Sequence, residues 1–93
     1  MNAKAKGTKN EHRSMRLLEA AGYRTHRMAA SLGEWDFIAI GPVDIVLVQV
    51  KTRDWPGRTE TEQMALYPVP PNVRKIVHRW RHRQRLPDVR EVA

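Results

Sequence analysis

The dipeptide Gly41-Pro42, set between two apolar runs, constrains this chain more than any other feature. The runs cover residues 35–40 and 43–50. Gly and Pro break regular structure, so the pattern predicts two antiparallel strands joined by a tight turn. Proline suits the first corner because its φ is already fixed. With Pro42 and Val43 at the corners, Gly41 faces Asp44 and Asp36 faces Gln49. If the turn shifts by a residue, Asp36 still lies within diagonal reach of Gln49 or Lys51.

Side chains two apart on a strand share a face. Asp36, Ile38 and Ile40 therefore share one face of the first strand. On the second, Ile45, Leu47, Gln49 and Lys51 share one face, and Val46, Val48 and Val50 the other. An acid, an amide and an ammonium thus converge at one end of an apolar hairpin. Burying such groups is costly unless they pair or hold an ion. A strand-end ion pair between Asp36 and Lys51 explains the spacing as well as a functional site does.

The 93 residues predict a single domain, 1–93, with a small core. Seventeen Lys and Arg against ten Asp and Glu give a formal charge of +7, which favours a polyanionic partner, nucleic acid first. The absence of cysteine excludes disulfides and thiolate metal sites. No apolar run approaches a membrane span and no signal-peptide core follows the N-terminus, so a cytoplasmic protein without a membrane partner is expected.

Residues 1–9 are polar, carry three lysines and predict a flexible basic arm. A helix is expected from Thr8 or Asn10, either of them an N-cap, to Ala21, with Met15, Leu18 and Ala21 on its apolar face and Gly22 as the left-handed residue that ends it. Glu11 falls on that apolar face. It reads as a first-turn acid suited to the helix dipole, as an acid aimed at a site, or as both. Tyr23–Met28 predicts a short strand. His26 in this basic strand reads as a surface side chain.

Beyond Lys51, Trp55 in a Pro-Gly loop reads as a packing plug. Thr59 and Glu62 have capping-box spacing for a helix from Glu60 to Leu66 or Tyr67, which Pro68, Pro70 and Pro71 end. Val73–Trp80 predicts the last core strand, with Ile76, His78 and Trp80 on one face and Val77 and Arg79 on the other. Residues 88–92 add a short edge strand. Between Arg74 and Arg90 seven residues are Arg or Lys and one, Asp88, is acidic. That density predicts phosphate contact, a charge-protected edge strand being the plainer account.

The order helix–strand–strand–strand–helix–strand, with Glu11 in the first helix, Asp36 on the second strand and Gln49-Val50-Lys51 ending the third, resembles the PD-(D/E)xK nuclease superfamily. Within it, the chain is similar to the small archaeal-type Holliday junction resolvases across about residues 7–80. Arg27, Ser31 and Asp36 look like the family's Arg…Ser…Asp stretch, and Gln63 with Tyr67 like a Gln-x-x-x-Tyr pair of some branches. The resemblance implies an α/β, restriction-endonuclease-like core in which a central mixed sheet is flanked by helices. It implies a metal-dependent, structure-selective DNA endonuclease of recombination, acting as a homodimer on branched or four-way DNA. Asp36 would bind Mg²⁺, or Mn²⁺, with Glu11 and Gln49 as further ligands. Lys51 would orient water or stabilise the transition state, and Ser31 would steady the site. Lys9, Arg13, Arg27, Arg53, Arg79, Arg81 and Arg83 are the expected nucleic-acid contacts. Gln49 departs from the usual Glu: it is neutral, cannot act as a base, and leaves Lys51 less well paired. A nuclease fold kept as a binding module is the alternative.

Overall fold

The computed structural model describes residues 3–28 and 34–93. Seven elements follow in order: α1 (Ala3–Ala20), β1 (Arg24–Arg27), β2 (Phe37–Ile40), β3 (Ile45–Thr52), α2 (Arg58–Leu66), β4 (Val73–Trp80) and β5 (Asp88–Val92). The strands form one sheet in the order β1-β2-β3-β4-β5. Strands β3 and β4 are parallel, with α2 in the crossover between them. The other neighbours pair antiparallel. This is the expected mixed sheet flanked by helices, with β5 as the added edge strand.

The hairpin has the register its turn chemistry dictates. Ile40 pairs with Ile45, and the Gly41 N–H donates to the Asp44 carbonyl at 2.8 Å, so Pro42 and Val43 are the corners. Position 41 also requires glycine, because a Cβ there would lie 2.7 Å from the Tyr23 ring. Alternation then sorts side chains into two layers. Phe37, Ala39, Val46, Val48 and Ile76 form the layer that Met15 and Leu18 of α1 cover. Trp35, Leu47, Met64 and Val77 form the layer on the α2 side.

Helix α1 departs from expectation at its start. It begins at Ala3, so most of the stretch expected as an arm is helical, and neither Thr8 nor Asn10 is a cap. Glu11 therefore lies well inside the helix, which has no acid in its first turn. The signal that suggested a cap at Asn10 has another cause. Asn10 is buried and donates from Nδ2 to Thr52 Oγ1 at 2.9 Å. At the other end, Gly22 takes φ +98° while its N–H donates to the Glu19 carbonyl and that of Tyr23 to the Leu18 carbonyl, the double closure of a Schellman turn. Helix α2 begins one residue before the predicted capping box. Gly57 is its N-cap and gives no side-chain cap bond, so Thr59 is helical and the box is not formed.

A buried polar node ties α1 to β4. Ser14, fully buried, accepts from Trp80 Nε1 at 2.8 Å and lies 2.9 Å from His78 Nδ1. The hydroxyl can accept twice and donate once, so it suits either tautomer of a neutral His78. Burial lowers the His78 pKa from 6.5 to about 4. As pH falls below 6.5 the unfolded chain takes a proton that the folded chain refuses. The stability tied to neutral His78 is thus complete above 6.5 and lost progressively toward 4. The full loss is about 3 kcal/mol at about 1.36 kcal/mol per pKa unit. Asp36 works in the opposite sense over part of this window, because its own pKa is raised to about 6. Urea unfolding of Asp36→Asn is therefore expected to show a midpoint that falls from pH 6.5 to 4, while the wild-type profile is flatter. A His78 imidazole that titrates near 6.5 in folded protein, read by NMR, contradicts this reading.

Candidate metal and nucleic-acid site

Because β3 and β4 are parallel, both end at the same edge of the sheet: Lys51 pairs with Arg79 and Thr52 with Trp80. Polar groups gather there, and Gln49 among them is buried. On β3 the outward sequence on the α2 side is Leu47, buried among apolar side chains, then Gln49, then Lys51. Asp36 stands one residue before β2 and departs from its ladder. Its N–H donates to the carbonyl of Val48, the residue opposite Phe37, at 2.9 Å. Its carboxylate Oδ2 accepts the N–H of Val50 at 2.6 Å. The side chain is thereby fixed by the backbone of Val50, between Gln49 and Lys51, and the expected facing of Asp36 and Gln49 does not form, because Asp36 and Phe37 both oppose Val48. Burial is the main cause that pushes the Asp36 carboxyl up to about 6; the Val50 N–H opposes it, Glu11 raises it, Lys51 lowers it and Glu60 raises it further. Five groups thus share one field.

Glu11 reaches this neighbourhood from α1 and pairs with Arg27 at 3.2 Å. Arg27 neighbours Met28, whose N–H donates to the Asp36 carbonyl at 2.9 Å. Lys51 Nζ does not pair with Asp36. It lies 3.2 Å from Glu60 Oε1 of α2, a residue the sequence reading left out of the site. Gln49 is 5% exposed, and its Oε1 has no hydrogen-bond partner among the described residues. Ser31 lies outside the described residues. Asp44 stands at the far end of the hairpin, where it accepts from the Tyr23 hydroxyl at 2.7 Å and lies 3.9 Å from Arg74.

Among the described residues no group of three or more His, Asp or Glu is placed to hold a metal ion. The donor set nevertheless fits a hard cation. Mg²⁺ takes oxygen ligands, keeps several waters and needs one or two carboxylates. A buried amide oxygen without a donor, on Gln49, and a carboxylate held by the N–H of the next residue offer such ligands. An unsatisfied buried acceptor costs about 1–3 kcal/mol, which a cation or water would offset.

The expected nucleic-acid residues fall into two groups. Lys6, Lys9 and Arg13 of α1 and Arg81, His82 and Arg83 after β4 line an open groove of about 610 Å³. The Asn10–Thr52 hydrogen bond places this groove at the same sheet edge as Lys51. Arg83, in the groove, and Arg53, just past the end of β3, adopt positive φ, +63° and +79°, which costs a non-glycine residue about 1–2 kcal/mol. Arg13 also packs its guanidinium 3.9 Å over Trp80 and donates to the Gln84 carbonyl. Arg79 is engaged within the fold. It makes two hydrogen bonds to Asp88, at 2.7 and 3.1 Å, and stacks on Trp55. Arg90 stacks on Trp55 as well, at 4.0 Å, so this tryptophan is packed between strands and cations. Asp88 also draws Arg81 to 3.0 Å.

No known family's sequence pattern matches this chain, and no curated protein matches it by sequence. Its fold is that of Hjc, a Holliday junction resolvase from the archaeal hyperthermophile Archaeoglobus fulgidus. The two superimpose with a TM-score of 0.74 at 22% identity, over 94% of this chain and 73% of the resolvase. No helix among the described residues is long and apolar enough to cross a membrane.

Proposed function

We propose that this protein is a divalent-metal-dependent endonuclease that cuts branched DNA, a four-way junction above all, and acts as a homodimer. One observation carries the proposal: Gln49, its amide oxygen unpartnered, and Lys51 alternate with Val50 on β3, whose N–H holds the Asp36 carboxylate, in a fold shared with a Holliday junction resolvase.

Phosphodiester hydrolysis builds negative charge on phosphorus and needs an activated water. A divalent cation, when bound, supplies Lewis-acid charge and lowers the pKa of water. Asp36 and Gln49 would hold it through oxygen, and Glu11, whose charge acts on Asp36, would share ligation through water. Lys51 contributes a fixed positive charge where the phosphoryl oxygens become more negative. The groove cations would hold the DNA backbone, which is sequence-tolerant and salt-dependent. Paired cuts across a junction call for two active sites, hence the dimer.

The test is cleavage of a labelled four-way junction beside linear duplex of the same sequence, with Mg²⁺, Mn²⁺ or EDTA. Metal-dependent paired cuts near the branch point are the expected result. Tight binding without cutting under every metal overturns it in favour of a binding module, which the neutral Gln49 and the basic groove would then explain.

A further inference from the structure

Glu60 has no part in the motif that suggested a nuclease, yet it is the acid in contact with Lys51. We propose that Glu60, delivered by α2, supplies to this site the carboxylate that position 49 lacks, so that a divalent cation is held by Asp36, Gln49 and Glu60 together.

Three observations lead to this. First, Glu60 is on the inward face of its helix. It stands four residues before Met64, which is fully buried against the sheet, and residues so spaced share one helix face. The helix is further pinned by Lys75 Nζ, which donates to the Ala65 carbonyl at 2.9 Å. Glu60 is therefore aimed at the α2 side of β3, the side that carries Gln49 and Lys51. Second, the Gln49 amide oxygen is buried on that side without a donor. Third, Glu60 and Lys51 are 36% and 31% exposed. An ion pair with that much solvent is weak, on the order of 0–1 kcal/mol, so Glu60 can exchange Lys51 for a cation and leave the ammonium free to face a phosphate.

The sense of a cation as catalyst rests on the proposed nuclease function; the site itself does not, and it is read without DNA. Titrate Mn²⁺ and Mg²⁺ against wild type, Glu60→Gln, Gln49→Glu and the double variant, following thermal stabilisation of each. Glu60→Gln is expected to weaken metal affinity at least about tenfold, and Gln49→Glu to tighten it. The double variant is expected to return close to wild type, because the charge removed from α2 is restored on β3. Glu62→Gln, a change at an exposed acid paired with Arg58, is the control and should titrate as wild type. A merely structural Glu60 would not be rescued from position 49. The proposal is overturned if wild type shows no metal-linked stabilisation, if Glu60→Gln titrates as wild type, or if Gln49→Glu fails to rescue it. A protein that binds metal through Glu60 but cuts no DNA leaves this site standing and removes the nuclease reading. One that cuts equally well as Glu60→Gln does the reverse.

Discussion

Asp36→Asn is expected to abolish DNA cleavage while leaving the protein folded and able to bind DNA. The expected loss is about 10³-fold or more in single-turnover rate, roughly 4 kcal/mol of transition-state stabilisation at about 1.36 kcal/mol per tenfold. Asparagine keeps the shape of the side chain and an oxygen to accept the Val50 N–H. It removes the charge that would hold a cation. Folding should not suffer, because burial already disfavours the charged form of Asp36 and an amide carries no such penalty. Thermal unfolding near pH 8 is thus expected to show a Tm equal to or above wild type in EDTA. Wild type alone should rise when Mg²⁺ or Mn²⁺ is added. Junction binding should persist, strengthened by the loss of a charge that repels phosphate. Residual cleavage within a few fold of wild type would remove Asp36 from the chemistry.

What the sequence made legible was local or periodic. Pro42 and Val43 at the corners follow from turn chemistry, and from them alone comes the register from Ile40 opposite Ile45 to Phe37 opposite Val48; the expected facing of Asp36 and Gln49 fails because Asp36 leaves the ladder and donates to the Val48 carbonyl. Gly22 ends its helix for the reason any left-handed residue does. The alternation of β4, with Ile76, His78 and Trp80 on the α1 side, is a two-residue period that needs no partner to be read. The chain hid what depends on packing between distant segments. Asn10 looked like a cap because capping and a buried bond to Thr52, forty-two residues away, call for the same side chain. Arg79 looked like a phosphate ligand because a count of charges cannot show that Asp88 and Trp55 engage it across β5 and the loop. Glu60 entered the sequence reading only as the expected first residue of its helix. Its tie to Lys51 spans a Pro-Gly loop, and nothing in the spacing from 51 to 60 shows which face of α2 meets the sheet. Met64, four residues on, was the available signal: an apolar residue one turn away marks the inward face.

Lys51→Ala is the change expected to separate catalysis from everything else at this edge of the sheet. It should cost about 10²–10³-fold in cleavage rate, the scale of removing one preorganised positive donor from a developing oxyanion. The stability cost should be small, because Lys51 lies near the end of β3 and its ion pair with Glu60 is partly open to solvent. Losing the lysine also frees Glu60 from its counterion, so metal-linked stabilisation should be retained or slightly stronger while turnover collapses. Arginine is not an adequate replacement. Its guanidinium is planar, longer in reach and bidentate toward carboxylates, so Lys51→Arg is expected to hold Glu60 more firmly and to recover little activity. The opposed movement of metal affinity and cleavage rate is the signature of a residue that acts on the phosphate and not on the cation. A parallel fall of both in Lys51→Ala would instead make the Lys51–Glu60 pair a structural clamp, and would move the catalytic charge to one of the arginines at the same edge, Arg53 first.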